Sequence, residues 1–563
     1  MAEMREEKDS LGVVEVPAGA MYGAQTQRAV ENYPISGMRA SRFLIRAMGM
    51  VKKAAAEANG ELGVVSKERA EAIARAAQEV IDGEWDGEFV VDVFQAGAGV
   101  SFHMNANEVV ANRANQIVAR EQGGAVELIG GAKESGPQGL KPGSLLSLYG
   151  TAEAVPLTTD DSAQRCDSTK ATTEILRVAQ NDDGGRAVGE AKLSVGKADS
   201  SAALRNDNKK AEAVRVADAE AAALGKYEWV HPNDHVNYGQ STNDVFPTAM
   251  RLGTLLALEG LYPVLDSLAE GFALKATEFD GVVKAGRTHM QDATPIRLGQ
   301  EFAAYGVAIR KAGESLQRAS AGLRELGLGG SAVGTGINTH PEYRKLAIAK
   351  LAAISGQKLF PASDMRWAMQ SCGPMAEVSA ALRGLALEVI RIANDLRLMA
   401  SGPNTGFNEI ALPSLQPGSS IMPGKINPVL AELAAMVGFQ VVGNDTAVAL
   451  AVQAGQLELN VMMPTMAYNV LQSVAILTNT LRELDARCVR GITANRARCE
   501  FYAQSTVALA TALNPYIGYA KAAELVKESI ASGRSVIEIA RERGVLSEAQ
   551  IKEILDVGKM TGA

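Results

Sequence analysis

The chain has 563 residues, 47% of them hydrophobic and 21% charged, with 64 Asp and Glu against 56 Lys and Arg, for a formal net charge of −8. That length exceeds one ordinary hydrophobic core and predicts about two to four domains. An acidic chain with no run of Lys or Arg, and no basic stripe interleaved with aromatics, argues against nucleic acid as a partner. Residues 1–10 are charged and lack an apolar h-region, so no secretory signal is expected. Residues 41–59 and 66–82 carry apolar side chains at helical spacing and read as amphipathic helices. Residues 120–225 are rich in Gly, Ser, Asp, Lys and Ala without apolar period, which predicts a largely disordered surface insertion. Within it only Ala211–Leu224 and Leu145–Tyr149 look structured. The stretches 246–278, 296–325, 374–401, 429–456 and 461–487 read as long helices with broad apolar faces, separated by glycine-rich turns such as 327–336. The longest uncharged apolar window, 461–481, contains Pro464, Asn469, Gln472, Ser473 and Asn479, so it reads as a buried bundle helix and not a membrane span. The expected fold is mainly α.

Four cysteines (Cys166, Cys372, Cys488, Cys499) show no Cys-x-x-Cys spacing, which argues against structural zinc and for reduced thiols in a cytoplasmic protein. The chemistry concentrates instead in residues 418–428, Gly-Ser-Ser-Ile-Met-Pro-Gly-Lys-Ile-Asn-Pro. Gly418, Gly424, Pro423 and Pro428 forbid ordinary helix or strand there. Two hydroxyls, a lysine and an amide are thus held in an irregular loop, and such loops usually do more than connect. A P-loop requires Ser or Thr after the lysine, and Ile426 follows Lys425, so that reading fails. A Schiff-base lysine is chemically open, but nothing else in the chain supports it.

This loop resembles one found throughout the fumarase/aspartase superfamily, and other blocks follow in that family's order. They are Tyr-Gly-Ala-Gln-Thr-Gln-Arg at 22–28, His-Met-Asn-Ala-Asn-Glu-Val at 103–109 and His-Pro-Asn-Asp-His-Val-Asn at 231–237. Gln-Ser-Thr-Asn-Asp at 240–244, Gly-Arg-Thr-His-Met-Gln-Asp at 286–292 and Gly-Thr-Gly-Ile-Asn-Thr-His-Pro-Glu-Tyr at 334–343 complete the set. The resemblance implies a three-domain fold: an N-terminal lyase domain at 1–240, a central long-helix bundle at 241–497 carrying the serine loop, and a small C-terminal helical domain at 498–563. It implies a homotetramer with a shared helical core and shared active sites. The family's reaction is reversible anti-elimination across a four-carbon dicarboxylate to give fumarate, which demands no metal and no cofactor. By resemblance Ser419 is the base, Lys425 a fixed cation for the aci-carboxylate, and Asn427 an amide donor to the developing charge, with Ser420 beside them in the site. His289 and Glu432 pair in the family, and Thr288 and His289 contact substrate. Ser241, Thr242 and Asn243 suit a substrate carboxylate, although the same residues also fit a helix N-cap. His231, Asn233 and Asp234 match a second dicarboxylate site described for fumarases.

One block departs from the pattern. The family's Gly-x-Gly-Thr is Gly97-Ala98-Gly99-Val100 here, and His103 stands where asparagine is usual. Loss of that hydroxyl costs about 1.5–3 kcal/mol toward a charged substrate unless Ser101 or His103 compensates. The leaving group divides the subfamilies. Residues 95–99, 298–302, 393–403, 406–410, 454–462 and 491–495 resemble aspartate ammonia-lyases, whereas the N-terminal blocks and His231-Pro-Asn-Asp resemble class II fumarases. Ammonia loss from L-aspartate is the favoured reading, with fumarase and a non-catalytic structural role as alternatives.

Overall fold

The computed structural model describes residues 3–121 and 215–562. Most of the predicted 120–225 insertion, with Cys166 and Leu145–Tyr149, lies outside the described residues; of its described part, 215–223 is helical. Strands β1 (Met4–Asp9) and β2 (Gly12–Pro17) form an antiparallel hairpin that leads into α1 (Ala24–Asn32). Helix α2 (Arg42–Glu61) starts at Ser41, whose hydroxyl accepts the Phe43 N–H. Helix α3 (Lys67–Asp82) starts at Ser66 and stops at Gly83, which takes φ 95° and closes the last turn. Helix α4 (Val100–Glu121) follows the glycine loop, with most of its side chains buried.

The central element is α5 (Thr242–Glu278), 37 residues long. Packed between α2, α6 (Leu298–Ser320) and α10 (Met463–Arg487), it is buried all round from 244 to 258, and only its second half turns Glu259, Asp266 and Glu270 to solvent. Helix α7 (Tyr343–Ser355) packs on α2; α8 (Gly373–Met399) and α9 (Val429–Gln453) pack side by side and continue onto α10. The predicted bundle helices are therefore present, with their ends moved by a few residues, as fraying and capping would have it. Strands contribute only two-stranded pieces among the described residues, one of them the hairpin of β3 (Val283–Thr288) and β4 (Gln291–Arg297). One buried core runs from Met21 to Cys499, and Leu509, Leu513, Leu525, Val536, Ile539 and Ile551 form a separate core in the C-terminal segment.

Helices α5 and α9 are both long and apolar enough to cross a membrane by length and composition. Both are members of the bundle. Helix α9, however, keeps Leu433, Met436, Phe439 and Leu450 exposed, at spacings that place them along its outer side. Three free cysteines, Cys372, Cys488 and Cys499, are buried, and burial pushes their thiols up to about 11, 11 and 12.

Candidate active site

The predicted site residues fall in three places on the chain. The first is the N-terminus of α5. Ser241 caps the helix: its hydroxyl accepts the Asn243 N–H, and its own N–H donates to Asp244 Oδ1 at 2.9 Å. Asp244 Oδ2 also accepts the N–H groups of Gly329 and Ser331, tying the glycine-rich turn 327–336 to the cap. Burial raises the Asp244 carboxyl to about 6, against the pull of these donors. Asn243 Nδ2 donates to Ala332 O at 2.8 Å. Ser241 and Thr242 are half-buried at the helix mouth, where orphan N–H groups and the helix dipole favour an anion. The cap predicted for these residues is present.

The glycine loop sits against this mouth. Gly99 takes φ 81°, and a Cβ there would lie 2.2 Å from the buried Phe246 ring, one turn after Thr242 on α5. Val100 is exposed beside it, and Ser101 is buried. Beneath Thr242 lies a polar group that sequence reasoning missed in part. His103 Nδ1 is 2.7 Å from Thr242 Oγ1, and His103 Nε2 is 2.7 Å from Lys52 Nζ. Lys52 also donates to Gln240 Oε1 at 2.8 Å and Asn237 Oδ1 at 3.2 Å. Both Lys52 and His103 are fully buried, and burial drives both well below their usual values, with the Asp244 charge opposing this at Lys52. The missed signal was available: Ile45, Met48, Lys52, Ala55 and Asn59 share one stripe of α2, which puts a lysine on the core side.

The second place is the serine loop. Ser419 Oγ accepts the N–H groups of Met422 at 3.0 Å and Ile421 at 3.2 Å. Gly418 N–H to Lys425 O, at 2.8 Å, closes the loop's base. A Cβ at Gly418 would meet that carbonyl and Asn427 N, both at 2.8 Å, so the closure requires glycine. Asn427 Nδ2 donates one N–H to Gly418 O at 2.8 Å, bracing the loop within the chain and leaving its second N–H for another acceptor. Ser420, Ile421, Met422 and Lys425 are exposed at the tip, and Lys425 forms no ion pair among the described residues.

The third place is the β3–β4 tip. His289 and Met290 form its turn with φ 56° and 60°, and Thr288 and His289 are exposed. Glu432 stands in the first turn of α9. The expected His289–Glu432 pair is not formed within one chain, because a hairpin tip and a bundle helix carry the two groups separately. His231 begins a π-turn; its Nδ1 accepts the Asp234 N–H and lies 3.3 Å from Asp234 Oδ2. Asn233 and Asp234 line a cleft of about 670 Å³ with Asn237, Gln240, Asn338 and His340, adjoining the α5 mouth.

The family described as Lyase matches residues 12–127 and 166–443, and the Fumarase C C-terminus family matches 509–562. An aspartate ammonia-lyase of Pseudomonas fluorescens is 40% identical, covering 98% of this chain and 95% of its own. A class II fumarate hydratase of Halobacterium salinarum is 42% identical, covering 99% and 97%. The crystal structure of a Brucella melitensis fumarate lyase:delta crystallin bound to cobalt superposes with TM-score 0.79 at 38% identity over all of both chains. With the Lyase family spanning most of its length and relatives of this similarity end to end, the chain belongs to the fumarase/aspartase superfamily of lyases.

Proposed function

We propose that the protein is an aspartate ammonia-lyase that converts L-aspartate reversibly to fumarate and ammonia. The observation that supports it best is Ser419, whose oxygen collects two backbone N–H groups in a loop that also presents Lys425. Two such donors stabilise an alkoxide more than a neutral hydroxyl, which is what a serine base needs. Ser419 removes the proton next to the substrate carboxylate, and Lys425 faces the dianion that results. The α5 mouth, with Ser241, Thr242 and Asn243, receives a carboxylate, and Thr288 and His289 contact the substrate from the hairpin tip.

The three places are each open to solvent on a single chain. A complete site therefore requires other copies, and Glu432 of one protomer meets His289 of another in a homotetramer built on the exposed side of α9. Phe439→Glu on that side is expected to leave helix content unchanged and to yield smaller species by light scattering after gel filtration. A retained tetrameric mass would remove α9 from the interface. Buried free thiols fit a cytoplasmic enzyme.

Fumarase is the second reading, favoured by His231-Pro-Asn-Asp and by the fumarate hydratase relative at 42% identity. Incubation with L-aspartate and with L-malate, followed by fumarate absorbance in the ultraviolet, separates the two. Fumarate from aspartate alone is expected. Fumarate from malate alone overturns the ammonia-lyase reading, and silence with both moves weight to a non-catalytic member.

A further inference from the structure

The geometry points to His103 and Lys52 as a positioning pair that turns the Thr242 hydroxyl into a hydrogen-bond donor toward the substrate carboxylate. The inference rests on the dicarboxylate reading of the α5 mouth and goes beyond it. A lysine ammonium has three N–H groups and no acceptor. Around Lys52 Nζ stand three acceptors, Gln240 Oε1, Asn237 Oδ1 and a ring nitrogen of His103. The amide orientations are fixed from outside, because Gln240 Nε2 donates to Val236 O and Asn237 Nδ2 to Gln240 O. The ammonium thus finds one acceptor for each N–H, and these contacts, with the Asp244 carboxylate nearby, oppose the burial that pushes the Lys52 pKa down.

The rest follows from valence. His103 Nε2 accepts from Lys52, so a neutral ring carries its proton on Nδ1. That proton donates to Thr242 Oγ1 at 2.7 Å. With its oxygen engaged as acceptor, the Thr242 O–H is left to donate at the partly exposed mouth of α5. An anion is the ligand that such a donor selects. Val100 contributes no hydroxyl to this pocket, and the oriented Thr242 supplies a donor that does not depend on one.

Steady-state kinetics of substitutions at 103 and 242 test the pair. His103→Gln keeps an acceptor for Lys52 but places nothing at the Nδ1 position. It is expected to raise KM for the substrate about tenfold, the scale of one hydrogen bond to a charged group, with a smaller change in kcat. Thr242→Ala should match it, and the double variant should be no worse than either single one. His103→Asn, whose amide N–H falls near Nδ1, should recover most of the lost affinity. Additive losses, or a lowered melting temperature with KM unmoved, would overturn the proposal. Solid-state NMR of 15N-histidine protein, with His103 assigned by its loss in His103→Gln, reads the tautomer without any substrate. Protonated Nδ1 with bare Nε2 is expected, and the opposite tautomer overturns the relay. Should the unsubstituted enzyme act on neither dicarboxylate, the functional reading fails while the NMR result still decides the pair.

Discussion

Lys425→Ala is expected to lower kcat by about 10²–10³-fold or more while the chain keeps its fold and its assembly. The lysine stands at an exposed loop tip with no ion pair among the described residues, so its removal deletes no internal contact. In the proposed reaction it meets charge that appears in the transition state, so the loss is expected to fall on kcat. Circular dichroism and light scattering should match the parent protein; a variant that retains full turnover sinks the assignment. The same reasoning reaches the shared site through Ser419→Ala and His289→Ala, each expected to be inactive alone. Mixed and reassembled in equal amounts, they should regain about one quarter of parental activity, because the loop and the hairpin tip of a site come from different, randomly drawn copies. No recovery would place both residues of a site on one chain.

Gly99→Ala should cost about 2–5 kcal/mol of stability, the sum of a left-handed backbone on a non-glycine residue and an overpacked core. The new methyl would land 2.2 Å from the Phe246 ring, which is buried and meets Phe102 edge-on at 6.1 Å. The ring cannot swing away without displacing a second aromatic. Relief has to come from α5 itself, and Thr242 is one turn away on that helix. A lower melting temperature at fixed protein concentration should therefore accompany a loss of kcat/KM out of proportion to the folded fraction. Melting indistinguishable from the parent would show that the loop yields instead.

The bundle was legible because its helices announce themselves twice. Apolar residues recur at helical spacing along 429–453 and 463–487, and Gly, Pro or a capping Ser marks where others stop or start, as at Ser41, Ser66, Gly83 and Ser241. The serine loop was legible for the opposite reason, since its glycines and prolines exclude regular structure. What stayed hidden were contacts between residues far apart in sequence. His103 stands out only as a departure from the family's asparagine and Lys52 not at all, and only the packing of α2 against α4 and α5 makes them partners. Asn427 reads as a donor, and residue type alone does not reveal that Gly418 O takes one of its two N–H groups. His289 and Glu432 show a further limit: one chain's sequence names both without saying which copies carry them together.

Asp244 holds the α5 cap and the glycine-rich turn with one carboxylate, accepting from Ser241, Gly329 and Ser331. That knot sets an order of events during synthesis. A chain emerging from its N-terminus presents Lys52 and His103 first and their partners Asn237, Gln240 and Thr242 later, yet Asp244 lacks two of its three backbone donors until residues 329 and 331 arrive. A nascent chain stopped short of that point carries every residue at the start of α5 without the turn that ties down its cap.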